Sequence, residues 1–423
     1  MKKKTLLALS LTSLIGLTGS VQPKAKTDTH TKIQEIKKKG RINTVSKTES
    51  LNAVGEIALE TLNLYVDASK YNISRIVELK DFNKNDYVLV EFNPIGYLIY
   101  NVSNGDVVEC SPTSYSPYLK TNSLNLHYLP MVGYFSNISG RYTNLIDQKE
   151  LSELEIKKYK EDSESYYSRA ILTIDENNVQ RTLIGSKNSP IKSTRASSDA
   201  TNFDYTITVT ADTEVPYAWY FKKNLMSFAQ AGEDSCGYIA IGLLMSYNEI
   251  FRCTGYFSTW QAQNYITPYR GYYFEEGVPD VANDYIYKLT SNPGPASQYQ
   301  LKQTIKNYLS DKPIAYTLKE TTGLFTNIEK PIKDGFPAIY LGNLSDFEGG
   351  TESHAVVVYG LYNTGKLLCH YGWTGFSQVI MSQVGLFSNS GALSIYDESV
   401  HVHNTYFILN NQTYCGCGQL VIC

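Results

Sequence analysis

Residues 230–247 read QAGEDSCGYIAIGLLMSY, and the second half of this stretch is almost wholly apolar. Such a run predicts a helix that passes through the core of a domain rather than across its surface. Asp234 or Ser235 is placed to cap the start of this helix, which puts Cys236 in the first turn. Unpaired backbone N–H groups and the helix dipole favour a thiolate there, so Cys236 is predicted to be nucleophilic. A buried structural cysteine is the competing interpretation of Cys236 taken alone.

A histidine opens a later predicted strand. Residues 336–341 (FPAIYL) predict a strand, a polar glycine-rich loop follows, and His354 precedes the apolar stretch 355–359 (AVVVY). An imidazole at the end of an apolar strand is placed to face a cleft. It would take the proton from Cys236, form an ion pair with the thiolate and later protonate a leaving amine. The simpler interpretation is that the His354 ring has no catalytic role and only forms hydrogen bonds at the end of the strand.

The strand after His354 is predicted to form a hairpin with a strand that carries His370. Residues 362–365 (YNTG) are typical of a turn, and residues 366–371 (KLLCHY) predict the return strand. Because His354 and His370 are an even number of residues apart, an even-sum register would place both on one face. His370 would then orient the imidazole of His354 through its second nitrogen.

The first 25 residues have the pattern of a secretory signal peptide. Lysines occupy positions 2–4, residues 6–17 are apolar, and small residues such as Ser20 and Ala25 follow. The apolar stretch is too short for a membrane anchor, which needs about 20 residues. The mature chain is therefore predicted to be soluble, extracellular and without a membrane span.

The N-terminal half of the remaining chain predicts a small α+β unit. Apolar residues between Leu51 and Tyr65 recur at helical spacing. An antiparallel meander follows, with predicted strands at residues 87–92, 97–102 and 107–110. No obvious catalytic set of residues lies in this unit.

A polar segment at residues 186–199 separates this unit from the stretch that contains Cys236. It carries Lys192 and Arg195, and exposed segments of this kind are where proteolytic nicking concentrates. This organisation predicts a zymogen. The alternative is a pair of permanent domains joined by an ordinary linker. The predicted divisions are a signal peptide at 1–25, a prodomain at 26–195 and a catalytic domain at 196–423.

The composition is informative about partners. The chain has 423 residues, of which 42% are apolar, and this is enough for two folded domains. Its 38 basic and 41 acidic residues give a net charge of -3, so no field of one sign is available to attract a phosphate backbone. Nucleic acid is therefore not a predicted partner.

The seven cysteines do not predict a metal site. If Cys236 stays a thiol, the other six could pair in an oxidising compartment. Cys415, Cys417 and Cys423 lie in the tail, but their irregular spacing lacks the second pair that a zinc knuckle needs. Disulfides or thiols are expected, with no metal and no organic cofactor.

Taken together, these residues resemble the papain-fold cysteine peptidases, and especially the secreted bacterial peptidases similar to streptopain. Gln230 stands at the offset before Cys236 that the oxyanion-hole glutamine of this family has. The spacing from His354 to His370 equals that between the family's histidine and its asparagine, and residues 370–375 (HYGWTG) echo the following aromatic and glycine motif.

The resemblance covers roughly residues 205–410 and implies an α+β fold, in which a helix that begins with the catalytic cysteine packs on an antiparallel sheet. It implies Cys236 as nucleophile, His354 as base and Gln230 as an oxyanion donor. The implied substrate is a protein or peptide, and the chain's own prosegment is the implied intramolecular inhibitor.

Two departures from the family pattern affect the predicted site. Gly237 follows Cys236 where plant and animal relatives of papain carry tryptophan, and His370 replaces the expected asparagine. The orienting role therefore stays open between a neutral His370, packing of Trp373 and a backbone carbonyl.

Two other functional classes use the same residues. Another secreted thiol hydrolase, such as a peptidoglycan amidase or a peptide-crosslinking acyltransferase, would need the same cysteine and histidine. A non-catalytic binding protein on a degenerate peptidase fold is the second alternative, because the chain has 35 tyrosines and an unusual His370.

Overall fold

The computed structural model describes a large part of the chain, with gaps. Several predictions lie outside the described residues: the signal peptide at 1–25, the polar segment at 186–199 with the predicted division at residue 195, and Gln230. The described residues are 47–83, 86–102, 107–121, 123, 125–170, 207–223, 236–253, 255–257, 297–322, 327–341, 354–373, 375–383, 391–397, 406–409 and 412–415.

Six α-helices are described. They are α1 (Lys47–Leu62), α2 (Glu153–Ala170), α3 (Trp219–Lys223), α4 (Cys236–Phe251), α5 (Gln298–Leu309) and α6 (Glu329–Lys333). The predicted helix at the start of the N-terminal half is confirmed as α1, and its residues Ile57, Ala58 and Leu62 are buried, as helical spacing requires. None of the helices within the described ranges combines the length and apolarity that a membrane crossing needs.

The N-terminal half contributes seven described strands. The predicted meander is confirmed as the antiparallel strands β2, β3 and β4. The strands are β1 (Asn72–Lys80), β2 (Asp86–Asn93), β3 (Tyr97–Asn101), β4 (Val107–Ser111), β5 (Leu126–Leu129), β6 (Gly133–Ile138) and β7 (Arg141–Asn144).

The C-terminal half contributes nine described strands. They are β8 (Thr213–Glu214), β9 (Tyr316–Thr322), β10 (Ala338–Leu341), β11 (Ala355–Leu361), β12 (Leu367–His370), β13 (Val379–Met381), β14 (Gly391–Asp397), β15 (Tyr406–Leu409) and β16 (Gln412–Cys415). The predicted hairpin is confirmed as β11 and β12, which pair antiparallel.

One large sheet contains fourteen of the described strands. Its order is β7-β6-β5-β1-β2-β3-β4-β13-β12-β11-β10-β14-β9, β8 pairs with β11, and β15 and β16 form a separate pair. With few helices and this sheet, the described structure is of mixed α/β type. The strands on either side of the predicted division at residue 195 therefore lie in the same sheet.

The two halves join where β4 pairs with β13. Ile380 lies opposite Cys110 and Met381 lies opposite Glu109 in an antiparallel register. Beside this short ladder, the backbone N–H of Ser382 donates to the Val108 carbonyl at 3.0 Å. Most buried apolar residues of the two halves also belong to one continuous core, and Phe82, Leu129, Phe135 and Leu151 of the N-terminal half form a separate small cluster. The N-terminal half is thus docked on the C-terminal half through backbone hydrogen bonds and apolar packing.

Helix α4 runs through the core, as its apolar sequence predicts. All its residues from Gly237 to Glu249 are buried, and it packs on β10, β11 and α5. At Gly237 the approach of α5 is so close that a Cβ atom would lie 2.7 Å from Leu301 Cδ2. A larger side chain at this position would have to displace the side chain of Leu301.

Candidate functional site

Cys236 is the first residue of α4, where the sequence places it. Its thiol is not in a disulfide bond, and the residue is half-buried, whereas Cys110, Cys253 and Cys369 are buried thiols. Disulfides between these three residues, one of the two sequence-based expectations, are not formed. Burial raises the pKa of the Cys110 and Cys369 thiols. Of these four thiols, Cys236 therefore has the surroundings that best suit a nucleophile, because it is partly accessible and lies in a first helical turn.

His354 lies immediately before β11 and is buried, with 4% of its surface exposed. Its Nε2 atom is 2.9 Å from the carbonyl oxygen of Tyr371. A carbonyl oxygen only accepts hydrogen bonds, so Nε2 is the donor and the neutral ring carries its proton there. This tautomer leaves the lone pair of Nδ1 as the basic site of the ring.

An aromatic ring fixes the plane of the same imidazole. Trp373 stacks on His354 with ring centroids 4.3 Å apart and an interplanar angle of 23°. The Tyr371 carbonyl and the Trp373 ring are two of the three orienting groups that the sequence left open. Both are observed to contact His354.

Burial also sets the charge of His354. Removal from water lowers the pKa of His354 to about 4, and the hydrogen bond to the Tyr371 carbonyl acts in the opposite direction but is outweighed. The imidazole is therefore neutral at pH 7 in this structure. It is in the state of a base that can accept a proton.

The loop of Tyr371, Gly372 and Trp373 connects His354 to the helix that begins with Cys236. A Cβ atom on Gly372 would lie 2.7 Å from Ile239 Cγ2, so the loop backbone lies directly against α4. Ile239 is three residues after Cys236 and thus lies on the same side of the helix, one turn on. One short loop therefore contacts both His354 and α4. It meets the His354 ring through the Tyr371 carbonyl and the Trp373 ring, and it meets α4 at Ile239, one turn from the thiol.

His370 is not where the even-sum register would put it. It pairs with Val357, and Cys369 pairs with Val358, but beyond a shift in register Gly360 pairs with Leu368. The shift is a β-bulge that changes the parity of the pairing between the turn and His370. Because His354 is three residues before Val357, alternation along the strand directs the two histidines to opposite faces.

The prediction that His354 and His370 share a face is therefore wrong. The sequence does carry one sign of the bulge, since Gly360 interrupts an apolar strand. The Nδ1 atom of His370 accepts a hydrogen bond from the backbone N–H of Gly372 at 2.9 Å. His370 thus contributes to the site by holding the loop that contacts His354.

Sequence reasoning missed a buried carboxylate beside this loop. Glu109 of β4 is 1% exposed, and the hydroxyls of four tyrosines donate to its oxygens. Tyr97 lies at 2.5 Å, Tyr128 at 3.1 Å and Tyr371 at 3.3 Å, and Tyr134 is the fourth donor. Burial raises the pKa of Glu109, while the four hydrogen bonds act to lower it. The only signal in the sequence was a lone carboxylate within the apolar strand β4.

The described residues contain no cluster of three or more side chains suited to hold a metal ion. Gln230 lies outside these residues, so its role as an oxyanion donor stays a prediction.

Comparisons with known proteins give one likeness to report. No family model matches the chain, and no curated protein matches it. Among solved structures, it is similar to a fragment of prointerpain A from Prevotella intermedia that carries a cysteine-to-alanine mutation. The two share 12% sequence identity over 75% of this chain and 97% of that chain, with a TM-score of 0.30. This likeness carries no inference about the chemistry of the site, which rests on the contacts described above.

Proposed function

We propose that this chain is a secreted cysteine endopeptidase with a papain-like catalytic half, made as a zymogen, with Cys236 as nucleophile and His354 as base. One observation supports this proposal above the others. The loop of Tyr371, Gly372 and Trp373 fixes the tautomer and the plane of the His354 ring and lies against α4 one turn from Cys236. A thiol at a helix start and a neutral, oriented imidazole are the two parts that thiol hydrolysis needs.

The first half of the reaction forms an acyl-enzyme. Nδ1 of His354 takes the proton of the Cys236 thiol, and the sulfur attacks the peptide carbonyl carbon. The resulting oxyanion would be stabilised by the backbone N–H of Cys236 and the side-chain amide of Gln230. The C–N bond then breaks as the protonated Nδ1 gives its proton to the leaving amine.

The second half returns the enzyme to its first state. Nδ1 of His354 takes a proton from water, the hydroxide attacks the thioester carbon, and the C–S bond breaks. The proton returns from Nδ1 to the Cys236 sulfur as the new carboxyl product leaves. Throughout, the Nε2–H bond to the Tyr371 carbonyl keeps a proton on Nε2, so Nδ1 is the nitrogen that accepts and releases the proton.

The zymogen part of the proposal rests on the polar segment at 186–199. A cut near Lys192 or Arg195 would separate the N-terminal half from the catalytic half in sequence. The cut is either made by the chain itself or by another protease, and the N-terminal half acts as the intramolecular inhibitor until then.

The test is a protease assay on residues 26–423 with two cysteine variants. Intact mass is followed over time for the parent, Cys236→Ala and Cys253→Ala, and casein hydrolysis is measured before and after brief trypsin treatment and trypsin inhibition. Cys253 is a matched control, because it is a buried thiol just beyond the end of α4.

The proposal expects casein hydrolysis by the parent and by Cys253→Ala after the cut, and none by Cys236→Ala. Loss of mass near residue 195 without trypsin, in the same two proteins, would assign the cut to the chain itself. Equal casein hydrolysis by all three proteins would contradict the role of Cys236. Absence of hydrolysis in all three would favour a different thiol hydrolase or a binding protein.

A further inference from the structure

We infer that, while the N-terminal half is in place, Glu109 of that half is a positioning residue for the His354 site and acts through Tyr371. The inference rests on the proposed function, because a base whose ring angle matters is part of it. It adds a role for the N-terminal half that differs from blocking a cleft.

Tyrosines of both halves surround Glu109. Three of its hydroxyl donors, on Tyr97, Tyr128 and Tyr134, belong to β3, β5 and β6 of the N-terminal half, and the fourth, on Tyr371, follows β12 of the C-terminal half. A carboxylate has about four lone-pair sites, so these four donors are enough to fill them. Burial of a carboxyl group is unfavourable unless it is hydrogen-bonded in this way.

Tyr371 links Glu109 to His354. Its hydroxyl is 3.3 Å from Glu109 Oε2, and its carbonyl oxygen is 2.9 Å from His354 Nε2. Tyr371 therefore has one end on a buried carboxylate across the β4–β13 junction and the other on the ring of the proposed base. A change in the position of Tyr371 would move the acceptor that fixes the His354 tautomer.

Aromatic rings form a second link between Glu109 and His354. Tyr134 donates to Glu109, and its ring meets Trp373 edge-on with centroids 6.0 Å apart. Trp373 stacks on His354 by its own ring. Glu109 is therefore linked to both groups that orient His354. Tyr371, which supplies the carbonyl, bonds to Glu109 directly, and the Trp373 ring contacts Tyr134, which also bonds to Glu109.

A second buried carboxylate in the same half provides the contrast. Glu91 of β2 is 3% exposed and is bonded by Arg75 and Ser116, both of the N-terminal half. Its known contacts lie within that half. Glu91 is therefore a matched control for the loss of a buried carboxylate that does not touch the loop after His370.

The experiment uses residues 26–423 with Glu109→Gln, Tyr371→Phe and Glu91→Gln, each checked for folding by near-ultraviolet circular dichroism. The tautomer of His354 is read by nitrogen NMR on protein labelled at its histidines, with His354→Ala to assign the signal. The rate of Cys236 alkylation by iodoacetamide is measured across pH by peptide mass spectrometry.

The inference expects a fixed Nε2–H tautomer at neutral pH in the parent and in Glu91→Gln. In Glu109→Gln and Tyr371→Phe the tautomers would mix, and Cys236 alkylation near pH 7 would change by about fivefold, the factor for one net hydrogen bond. Tyr371→Phe carries the test if Glu109→Gln fails to fold, because it removes only the hydroxyl that bonds to Glu109 and to Met381 and keeps the backbone carbonyl that bonds to His354.

An unchanged His354 tautomer in both Glu109→Gln and Tyr371→Phe would overturn the inference. Failure of the proposed function is a separate result, in which Cys236 of the folded parent is alkylated no faster than in the denatured chain. The tautomer measurement does not depend on that rate, so the two failures are distinguishable.

Discussion

The ends of β11 and β12 each carry a buried histidine that bonds to the same loop, but the two rings use different nitrogens. His354 donates from Nε2 to the Tyr371 carbonyl, and this bond leaves the lone pair of Nδ1 unused. His370 accepts the Gly372 N–H at Nδ1, and this bond occupies that lone pair. The partner of a buried histidine therefore decides what its Nδ1 atom can do. A carbonyl that accepts from Nε2–H leaves Nδ1 as the basic atom, whereas a backbone N–H that donates to Nδ1 gives the ring a structural role.

The largest expected effect separates the two histidines by activity. His354→Ala should lower kcat/KM for peptide hydrolysis by about a thousandfold, because general acid–base groups contribute about 10²–10⁴-fold. His370→Ala should lower it by about tenfold or less, since it only loosens the loop. Steady-state kinetics on the cleaved enzyme checks both values, and a larger loss in His370→Ala than in His354→Ala would reverse the assignment.

The pH dependence of stability gives a second test of His354. The pKa of His354 falls from 6.5 to about 4 on burial, so between these values the unfolded chain binds the proton more strongly. Stability is present in full above pH 6.5 and is lost as the pH falls toward 4. The loss attributable to this group is about 3 kcal/mol at most.

Urea unfolding at pH 7 and pH 4 measures this loss. We expect it to be smaller in His354→Ala than in the parent, because the variant lacks the imidazole that binds a proton in the unfolded chain. Equal losses in the two proteins would show that His354 does not titrate in this window.

The loop between the histidines gives a third, smaller effect. Gly372 has φ of 75°, and a Cβ atom there would also meet Ile239. Gly372→Ala should lower the free energy of unfolding by about 3 kcal/mol, through backbone strain and the clash with α4. Gly365 in the β11–β12 turn has φ of 80° with no atom near its Cβ position, so Gly365→Ala should cost about 1 kcal/mol.

Urea unfolding compares these two glycine variants directly. The difference between them isolates the contact with α4 from the cost of the left-handed backbone. If the two losses are equal, the loop is able to move away from Ile239 and does not hold α4 in place.

The smallest effect concerns the residue that the papain-like family has at the position of His370. His370→Asn should not raise peptidase activity, because the register directs this side chain to the face opposite His354. It should lower the free energy of unfolding by about 1 kcal/mol, since the shorter side chain fits the Gly372 N–H less well. A clear gain in kcat over the parent would show that the strand alternation does not hold at this end of β12.

Local sequence patterns predicted the elements on which the site is built. The apolar run after Cys236 predicted α4, and the YNTG turn between two apolar stretches predicted the β11–β12 hairpin, because both depend on residues close together in sequence. The register at His370 was not predictable from spacing alone. It depends on a bulge beside Gly360, where a Cβ atom would meet Ala211 at 2.9 Å, and this contact is distant in sequence.

The connection between the two halves was also beyond sequence reasoning. Cys110 faces Ile380 across the β4–β13 ladder, and Tyr371 reaches Glu109 over 262 positions. Neither partner has a pattern that specifies the other, because strand pairing at this distance follows from the packing of the whole sheet. The contribution of Gln230 and the cut near Arg195 remain predictions.

The β4–β13 junction has a consequence for a C-terminal half that is separated from the N-terminal half. While β4 is in place, β13 is an interior strand, and departure of the N-terminal half would turn it into an edge with unsatisfied backbone groups. Such edges invite pairing with extended segments of other molecules and so promote aggregation. β13 spans only Val379–Met381, so the edge is three residues long. Such a short edge offers few backbone groups with which another strand could pair.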